Sequence, residues 1–339
     1  MDNPTNNSSR AKRDGYGETD LRPSQASNHT NRRTQTLLTF STPGKLSTRR
    51  PPVVDRRPPV NAAARRDPQR DGLAKIAAET LQLLPGLLAT RPDVGQHARL
   101  FRAGDVELTP SSISPKLGGT RVRVISSDTI DAALALTIPG HSNQPVCILN
   151  MANEIHAGGG FKRGALAQEE ALCYRSSLFF TLKTNFYPIP SKAAIYSPQV
   201  LVFRESMKDG HDLMDLREPS KLPVISVISV AAICRPELLT APDGRRVYRV
   251  AKDKELMMEK MRVILRVANR SHHRRLVLGA FGCGAFANPP EEVADMWASV
   301  LQESEFQAGW WDHLVFAVLD GGGSNNFRVF KQTLDGLSV

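Results

Sequence analysis

Apolar residues change their spacing along this chain, and the changes mark out its elements. From Asp71 onward, Leu73, Ile76, Ala77, Thr80, Leu81 and Leu84 recur at the interval that draws one stripe on a helix. Pro85 with Gly86 is expected to stop that helix. Runs dense in Val, Ile, Leu and Phe then occupy residues 121–125, 145–150, 193–203, 223–231, 275–281 and 313–319 and read as buried strands. Segments with helical periodicity lie at 128–137, 167–183, 253–270, 291–304 and 324–335. This alternation predicts a three-layer α/β domain. The run PVISVISVAAI from Pro223 is almost continuously apolar, as a strand covered by helices on both faces must be. In such sheets ligands gather at strand ends, where loops lead into helices. No internal repeat of fixed period is present.

Before Asp71 the pattern is absent. Residues 1–72 hold 14 Lys or Arg against 7 Asp or Glu, so most of the whole-chain excess of +10 sits there. The stretch is rich in Asn, Ser, Thr, Pro and Arg, and its one apolar cluster, Leu37 to Phe40, is too small to offset the entropy of ordering a chain. Residues 1–69 are therefore expected to form a disordered basic tail, and 70–339 the folded domain. The pairs Arg32–Arg33, Arg49–Arg50, Arg56–Arg57 and Arg65–Arg66 suit a polyanion, and equally a nuclear import signal or a solvated linker. No run reaches the roughly 18 apolar residues of a membrane span, and the first residues lack a secretory core. The expected location is intracellular, nuclear or cytoplasmic, with no membrane partner. Cys147, Cys173, Cys234 and Cys283 are scattered, which favours reduced thiols over zinc or disulfides.

Two passages carry candidate chemistry. In VCILNMANEIHAGGGFKRGALAQEEALCYRSSLF, from Val146, a strand ends near Asn150. A loop then carries Gly158, Gly159 and Gly160, and a helix opens at Gln168, Glu169 and Glu170. Three bare glycines let a phosphate or ribose approach backbone amides, and the helix start presents carboxylates to whatever the loop holds. Taken singly, such glycines also make flexible loops and such glutamates also serve as dipole partners. In LVLGAFGCGAFANPPEEVADMW, from Leu276, a strand enters a loop punctuated by Gly279, Gly282 and Gly284 before Pro289 and Pro290 start a helix. Loops of this form cradle diphosphates. No carboxylate and histidine cluster with ligand spacing calls for a metal, and no cofactor is expected.

Three glycines, seven residues, then QEE: this conjunction resembles the signature of the poly(ADP-ribose) glycohydrolases, and the flanking LN and QEEALCYRSSLF resemble the microbial branch. RDGLAKIAAETLQLL from Arg70 and VISSDTIDAALAL from Val124 are similar to that branch as well, so the resemblance spans about 70–337. It implies a macrodomain with a mixed central sheet flanked by helices, acting on poly(ADP-ribose) or ADP-ribose, with ADP-ribosylated proteins as further partners. Ala157 stands where microbial members often carry proline, a departure that removes neither donor nor charge.

The resemblance also assigns roles. Glu170 would protonate the departing ribose oxygen and then assist water, as general acid and base, while Glu169 holds ribose hydroxyls. Adjacent helical residues point about 100° apart, so this pair does not flank the anomeric carbon from opposite faces as ordinary glycosidase carboxylates do. Substrate-binding roles fall to Asn150, Gly158, Gly159, Gly160, Gln168, Gly282, Cys283, Gly284, Ala285 and Phe286. Asn153 and His156 are weaker candidates. Alternative readings are a hydrolase of ADP-ribosyl proteins or small conjugates, and a catalytically silent ADP-ribose reader. The intact QEE argues against the reader.

Overall fold

The computed structural model describes residues 67–95, 97–106, 119–138, 145–307, 309–320 and 323–339. Nearly all of the expected basic tail, including its arginine pairs and Leu37 to Phe40, lies outside the described residues. The described residues belong to one compact unit.

The first helix, α1 (Pro68–Ala89), begins with Asp67 as its cap: the carboxylate accepts from the amides of Gln69 at 3.1 Å and Arg70 at 3.4 Å, and Pro68 supplies a preset φ. Contrary to expectation, Pro85 does not stop it. Pro85 and Gly86 lie on the exposed face, while Leu84, Leu87 and Leu88 are buried against Val94, Leu201, Phe203 and Leu222, which carries the helix four residues further. Apolar packing outweighs the hydrogen bond that proline cannot make.

After α1 the chain forms β1 (Arg99–Arg102), β2 (Arg123–Ile125), α2 (Thr129–Ala135), β3 (Cys147–Met151), α3 (Gln168–Arg175), α4 (Leu178–Thr181), β4 (Ala193–Leu201) and β5 (Val224–Val230). A hairpin of β6 (Leu238–Thr240) and β7 (Arg246–Tyr248) precedes α5 (Ala251–Arg270), β8 (Arg275–Leu278), α6 (Pro290–Leu301), β9 (His313–Ala317) and α7 (Asn326–Leu334). Seven strands make one mixed sheet in the order β1-β4-β5-β3-β8-β9-β2. The run from β5 to β2 is parallel, and β4 and β1 join antiparallel at one edge.

Both faces are covered, and the pleat divides the core between them. Cys147, Leu149, Leu276, Leu278, Ile228 and Val230 pack toward α5, α6 and α7. Their neighbours Ile148, Val277, Ile225 and Val227 pack toward α1, α2 and α3. Each buried aliphatic side chain of this kind contributes about 1.5–3 kcal/mol.

One long helix was expected over 167–183, and the structure has two. Ser176 turns extended and bridges to Val202, its hydroxyl accepted by Leu172 O at 2.7 Å, while the Ser177 hydroxyl accepts from Leu201 N at 2.9 Å. Consecutive serines thus offer the backbone partners outside the helix, and the end of β4 takes the position that would have continued it. Strands β5, β3 and β8 are neighbours, so the loops leaving their C-terminal ends gather in one place, where Ala152 N donates to Val230 O at 3.0 Å and Arg235 N to Phe286 O at 2.7 Å.

Candidate active site

The loop after β3 is shaped by its own side chains. Asn153 Oδ1 accepts from the amides of Ile155 at 2.9 Å and His156 at 2.8 Å, closing a turn. Gly158 and Gly159 follow with φ of +67° and +56°, a region that disfavours any side chain. A short turn at Phe161–Arg163 returns the chain to α3, and Tyr174 of α3 fastens it, donating its hydroxyl hydrogen to Ala165 O at 2.7 Å with Phe161 O at 3.2 Å. Gly164 lies so close to α1 that a Cβ would meet Arg70 O at 1.9 Å, and Arg70 Nε donates to Arg163 O at 2.9 Å.

Under this loop stand the two glutamates of the QEE triplet, both buried at 3% and 7% exposure. Glu170 Oε1 accepts from Gly160 N at 2.7 Å. Glu169 Oε2 accepts from Asn153 N at 2.7 Å, and its Oε1 lies 3.4 Å from Asn150 Nδ2. Although their Cβ atoms diverge around the helix, the carboxyls converge: a Cβ on Gly159 would stand 2.4 Å from Glu170 Oε1 and 3.1 Å from Glu169 Oε2. Glycine at 159 is therefore required twice, by conformation and by the space the carboxyls fill.

Burial pushes the Glu169 carboxyl up to about 8, with the neighbouring Glu170 charge adding to it and the Asn153 amide opposing it. Burial thus favours the protonated form of Glu169, which can donate as well as accept. Burial likewise raises the thiol of Cys173, which lies 3.3 Å from where a Cβ on Gly158 would stand.

Asn150 is wholly buried at the end of β3, its Nδ2 donating to Ser229 Oγ of β5 at 3.0 Å and its Oδ1 without a protein partner. Gln168 is committed to the framework: Oε1 accepts from Met151 N at 2.9 Å, and Nε2 donates to Leu149 O at 2.7 Å.

The loop after β8 is held by Asn288, 2% exposed, whose Nδ2 donates to Ile233 O at 2.7 Å and Gly282 O at 3.0 Å while Oδ1 accepts from Tyr248 at 2.7 Å. A Cβ on Gly282 would lie 2.6 Å from that side chain. Gly284 and Ala285 are exposed at the crest, and among the described residues their amides have no intramolecular acceptor. Cys283 and Phe286 are half-buried beside them. The candidate residues thus fall into two loops at neighbouring strand ends, a carboxyl pair beneath glycines and a row of free amides. Tyr174, Asn288, Ser229 and the Arg70–Gly164 contact hold this arrangement without having been singled out in the sequence. Only Asn288, standing before two prolines at a helix start, carried a visible signal. Among the described residues no cluster of His, Cys, Asp and Glu could hold a metal ion.

Comparison with known proteins adds a family. The model of the microbial-type poly(ADP-ribose) glycohydrolase (PARG) catalytic domain matches residues 92–205, which include the glycine loop and both glutamates. Poly(ADP-ribose) glycohydrolase from Thermomonospora curvata is similar in structure, with a TM-score of 0.61 and 28% identity over 78% of this chain and 100% of that one. The same enzyme bound to the inhibitor ADP-HPD gives 0.60 and 28% over 78% and 99%. The Deinococcus radiodurans glycohydrolase in complex with ADP-ribose gives 0.58 and 30% over 75% and 98%. No curated protein matches the chain in sequence.

Proposed function

The chain belongs to the microbial-type poly(ADP-ribose) glycohydrolase family, and from that premise we propose that it hydrolyses the ribose–ribose O-glycosidic bonds of poly(ADP-ribose) and releases ADP-ribose, with Glu170 as general acid and base. The observation that carries this reading is the convergence of two buried carboxyls beside Gly159, one of them fixed by the Gly160 amide.

Cleavage passes through an oxocarbenium-like state and needs a proton on the leaving oxygen. Glu170 Oε1 is engaged by Gly160, so Oε2 carries the proton to the departing 2′-oxygen as the bond from that oxygen to the anomeric carbon breaks. Water then adds its hydroxyl to the anomeric carbon and returns a proton to Glu170. Glu169, whose protonated form burial favours, holds the ribose hydroxyls together with Asn150, whose Oδ1 has no protein partner. The amides of Gly284 and Ala285 receive the diphosphate, with Gly282, Cys283 and Phe286 shaping that cradle and Phe286 meeting the reacting ribose. Gly158, Gly159 and Gly160 admit the ribose, and Gln168 anchors the helix that presents the carboxyls.

The domain is read as residues 70–339, acting at chain ends, with residues 1–69 as a basic segment that docks on polyanions in the nucleus or cytoplasm. No helix among the described residues is long and apolar enough to cross a membrane. The test is direct. The protein and its Glu170→Gln variant are incubated with poly(ADP-ribose) and free ADP-ribose is followed. Release by the parent, lost in the variant while ADP-ribose still binds, supports the reading; equal release by both removes Glu170 from it.

A further inference from the structure

At the edge of the sheet, where β1 and β4 meet the end of α5, lies a cavity of about 430 Å³, inside the usual size range of small-molecule sites, about 300–1,000 Å³. Its lining includes His97, Arg99 and Phe101 from β1 and the residues before it, Tyr196 from β4, and Arg270 and Ser271 from the end of α5. None of its lining residues is acidic, and none belongs to the loops after β3 and β8. The chain beyond Ser271 runs into the start of β8, whereas the active-site loop leaves its end, so this cavity is separate from the candidate active site.

Its charges are unmatched. Farther back along α5, Arg262 and Arg266 pair with Glu303 and Glu305, and just past the helix Arg274 pairs with Asp312. Arg99, Arg270 and His97 are exposed, and among the described residues none of them is in an ion pair. The floor is aromatic: the Phe101 and Tyr196 ring centres lie 6.3 Å apart, and the Arg99 guanidinium stands 5.5 Å from the centre of the Phe101 ring. Tyr196 is half-buried, and its hydroxyl is fixed 2.8 Å from His273 Nε2. A helix C-terminus ordinarily repels an anion through its free carbonyls. Here the carbonyls of Val267, Ala268 and Asn269 already accept from the amides of Ser271 at 3.0 Å, His273 at 3.0 Å and His272 at 2.8 Å.

We propose that this cavity is a second, non-catalytic nucleotide site, with Arg99 and Arg270 on the phosphates, His97 as a further donor and the Tyr196 ring against the base. Two unpaired guanidiniums offer the forked donors that phosphate oxygens accept. A half-buried ring held in place by its own hydroxyl offers a stacking surface that any base can use. The absence of carboxylates leaves nothing to repel an anion, and the volume exceeds what a phosphate alone would fill. A nucleotide of this chemistry has two sources, a free nucleoside diphosphate or a unit of a poly(ADP-ribose) strand held away from the catalytic loops.

The test is calorimetry on the full chain with ADP as the probe. ADP is expected to occupy two classes of site, and Arg99→Ala combined with Arg270→Ala is expected to weaken one class about tenfold, the loss of two charge-assisted contacts, while the other stays as it was. Both arginines are exposed and unpaired, so the double variant should fold as the parent does. Ser271→Glu, which sets a negative charge in the cavity and leaves the arginines in place, is expected to weaken the same class. A single class of site in the parent, or two classes that neither variant disturbs, would overturn the proposal. Inorganic pyrophosphate binding as tightly as ADP would overturn it too, since the aromatic floor would then contribute nothing. The source is read in the Glu170→Gln background by comparing long poly(ADP-ribose) with an ADP-ribose dimer. A loss of affinity for the long polymer alone in the double variant assigns the site to a unit of the strand; unchanged affinity for both, with the ADP class still lost, assigns it to free nucleotide. These are binding measurements that need no turnover, so the site stands or falls apart from the reading of Glu170 as the acid.

Discussion

The Gly160 amide donates to the Glu170 carboxyl at 2.7 Å, so the glycine loop holds the group it covers. Substituting Glu170 by Gln keeps a possible acceptor for that amide and removes the transferable proton. Release of ADP-ribose should fall by about 10²–10⁴-fold, the usual contribution of a general acid. ADP-ribose affinity measured by calorimetry should change little.

Gly159→Ala should act on the same carboxyl from the other side. The new Cβ would stand 2.4 Å from Glu170 Oε1 at a φ of +56°, so either the loop or the carboxyl must move. Backbone strain costs about 1–2 kcal/mol of stability. The displaced acid should lower kcat by about 10²-fold. Melting temperature and turnover, measured on one preparation, separate the two effects.

Glu169 makes stability depend on pH with a defined sign. Its carboxyl is raised from 4.5 to about 8 in the folded protein, so between those values the folded state keeps a proton that the unfolded chain has lost. The contribution of Glu169 to stability therefore falls as pH rises through this window, by up to about 1.4 kcal/mol per unit, and levels off above it. Glu169→Gln should flatten that slope in urea unfolding at pH 5, 6.5 and 8. An unchanged slope would mean that Glu169 is ionised in the fold.

His273 imposes the opposite slope at lower pH. Its Nδ1 faces Pro145 O at 3.2 Å, which only accepts, so Nε2 accepts from the Tyr196 hydroxyl at 2.8 Å. Burial lowers the imidazole to about 4, so between 4 and 6.5 the unfolded chain binds a proton that the fold refuses. The contribution of His273 to stability drops as pH falls through that interval, and His273→Gln should remove that contribution in the same unfolding series.

Gly164→Ala should be the most damaging small change outside the core. Arg70 O would lie 1.9 Å from the added methyl, and backbone on both sides prevents an easy escape. Separation of α1 from the loop should cost about 3 kcal/mol or more, read as a fall in the urea midpoint. Shortening the chain tests the same helix gently. A protein starting at Asp67 keeps the cap, and one starting at Arg70 should lose about 1 kcal/mol.

Much of this architecture was legible because the pleat leaves an almost continuous apolar run in strands covered on both faces. Every strand expected from such a run is present within a few residues of its predicted ends, as β5 illustrates: expected at 223–231, it spans Val224–Val230. Edge elements were not legible. In β1 only Phe101 is buried, and in the strands of the β6–β7 hairpin only Tyr248, so neither has an apolar run to detect. The continuation of α1 through Pro85 depends on Leu201, Phe203 and Leu222, more than a hundred residues away, and the break at Ser176 depends on the end of β4. At the site, spacing brought out the glycines and glutamates. The convergence of the carboxyls needed the path of the loop, set by Asn153, Tyr174 and Gly164.

Gln168 impersonates a strand. It gives Leu149 O a donor and Met151 N an acceptor, the two bonds a neighbouring β-residue would have made on the β8 side of β3, where the pairing ends at Ile148. The helix bearing the carboxyls is in this way spliced to the sheet at the level of a single side chain. Sliding one layer past the other would have to rupture the splice before the acid could drift. Turnover should therefore survive mild denaturant undiminished and vanish in the same step as the sheet, with no inactive but folded state between them.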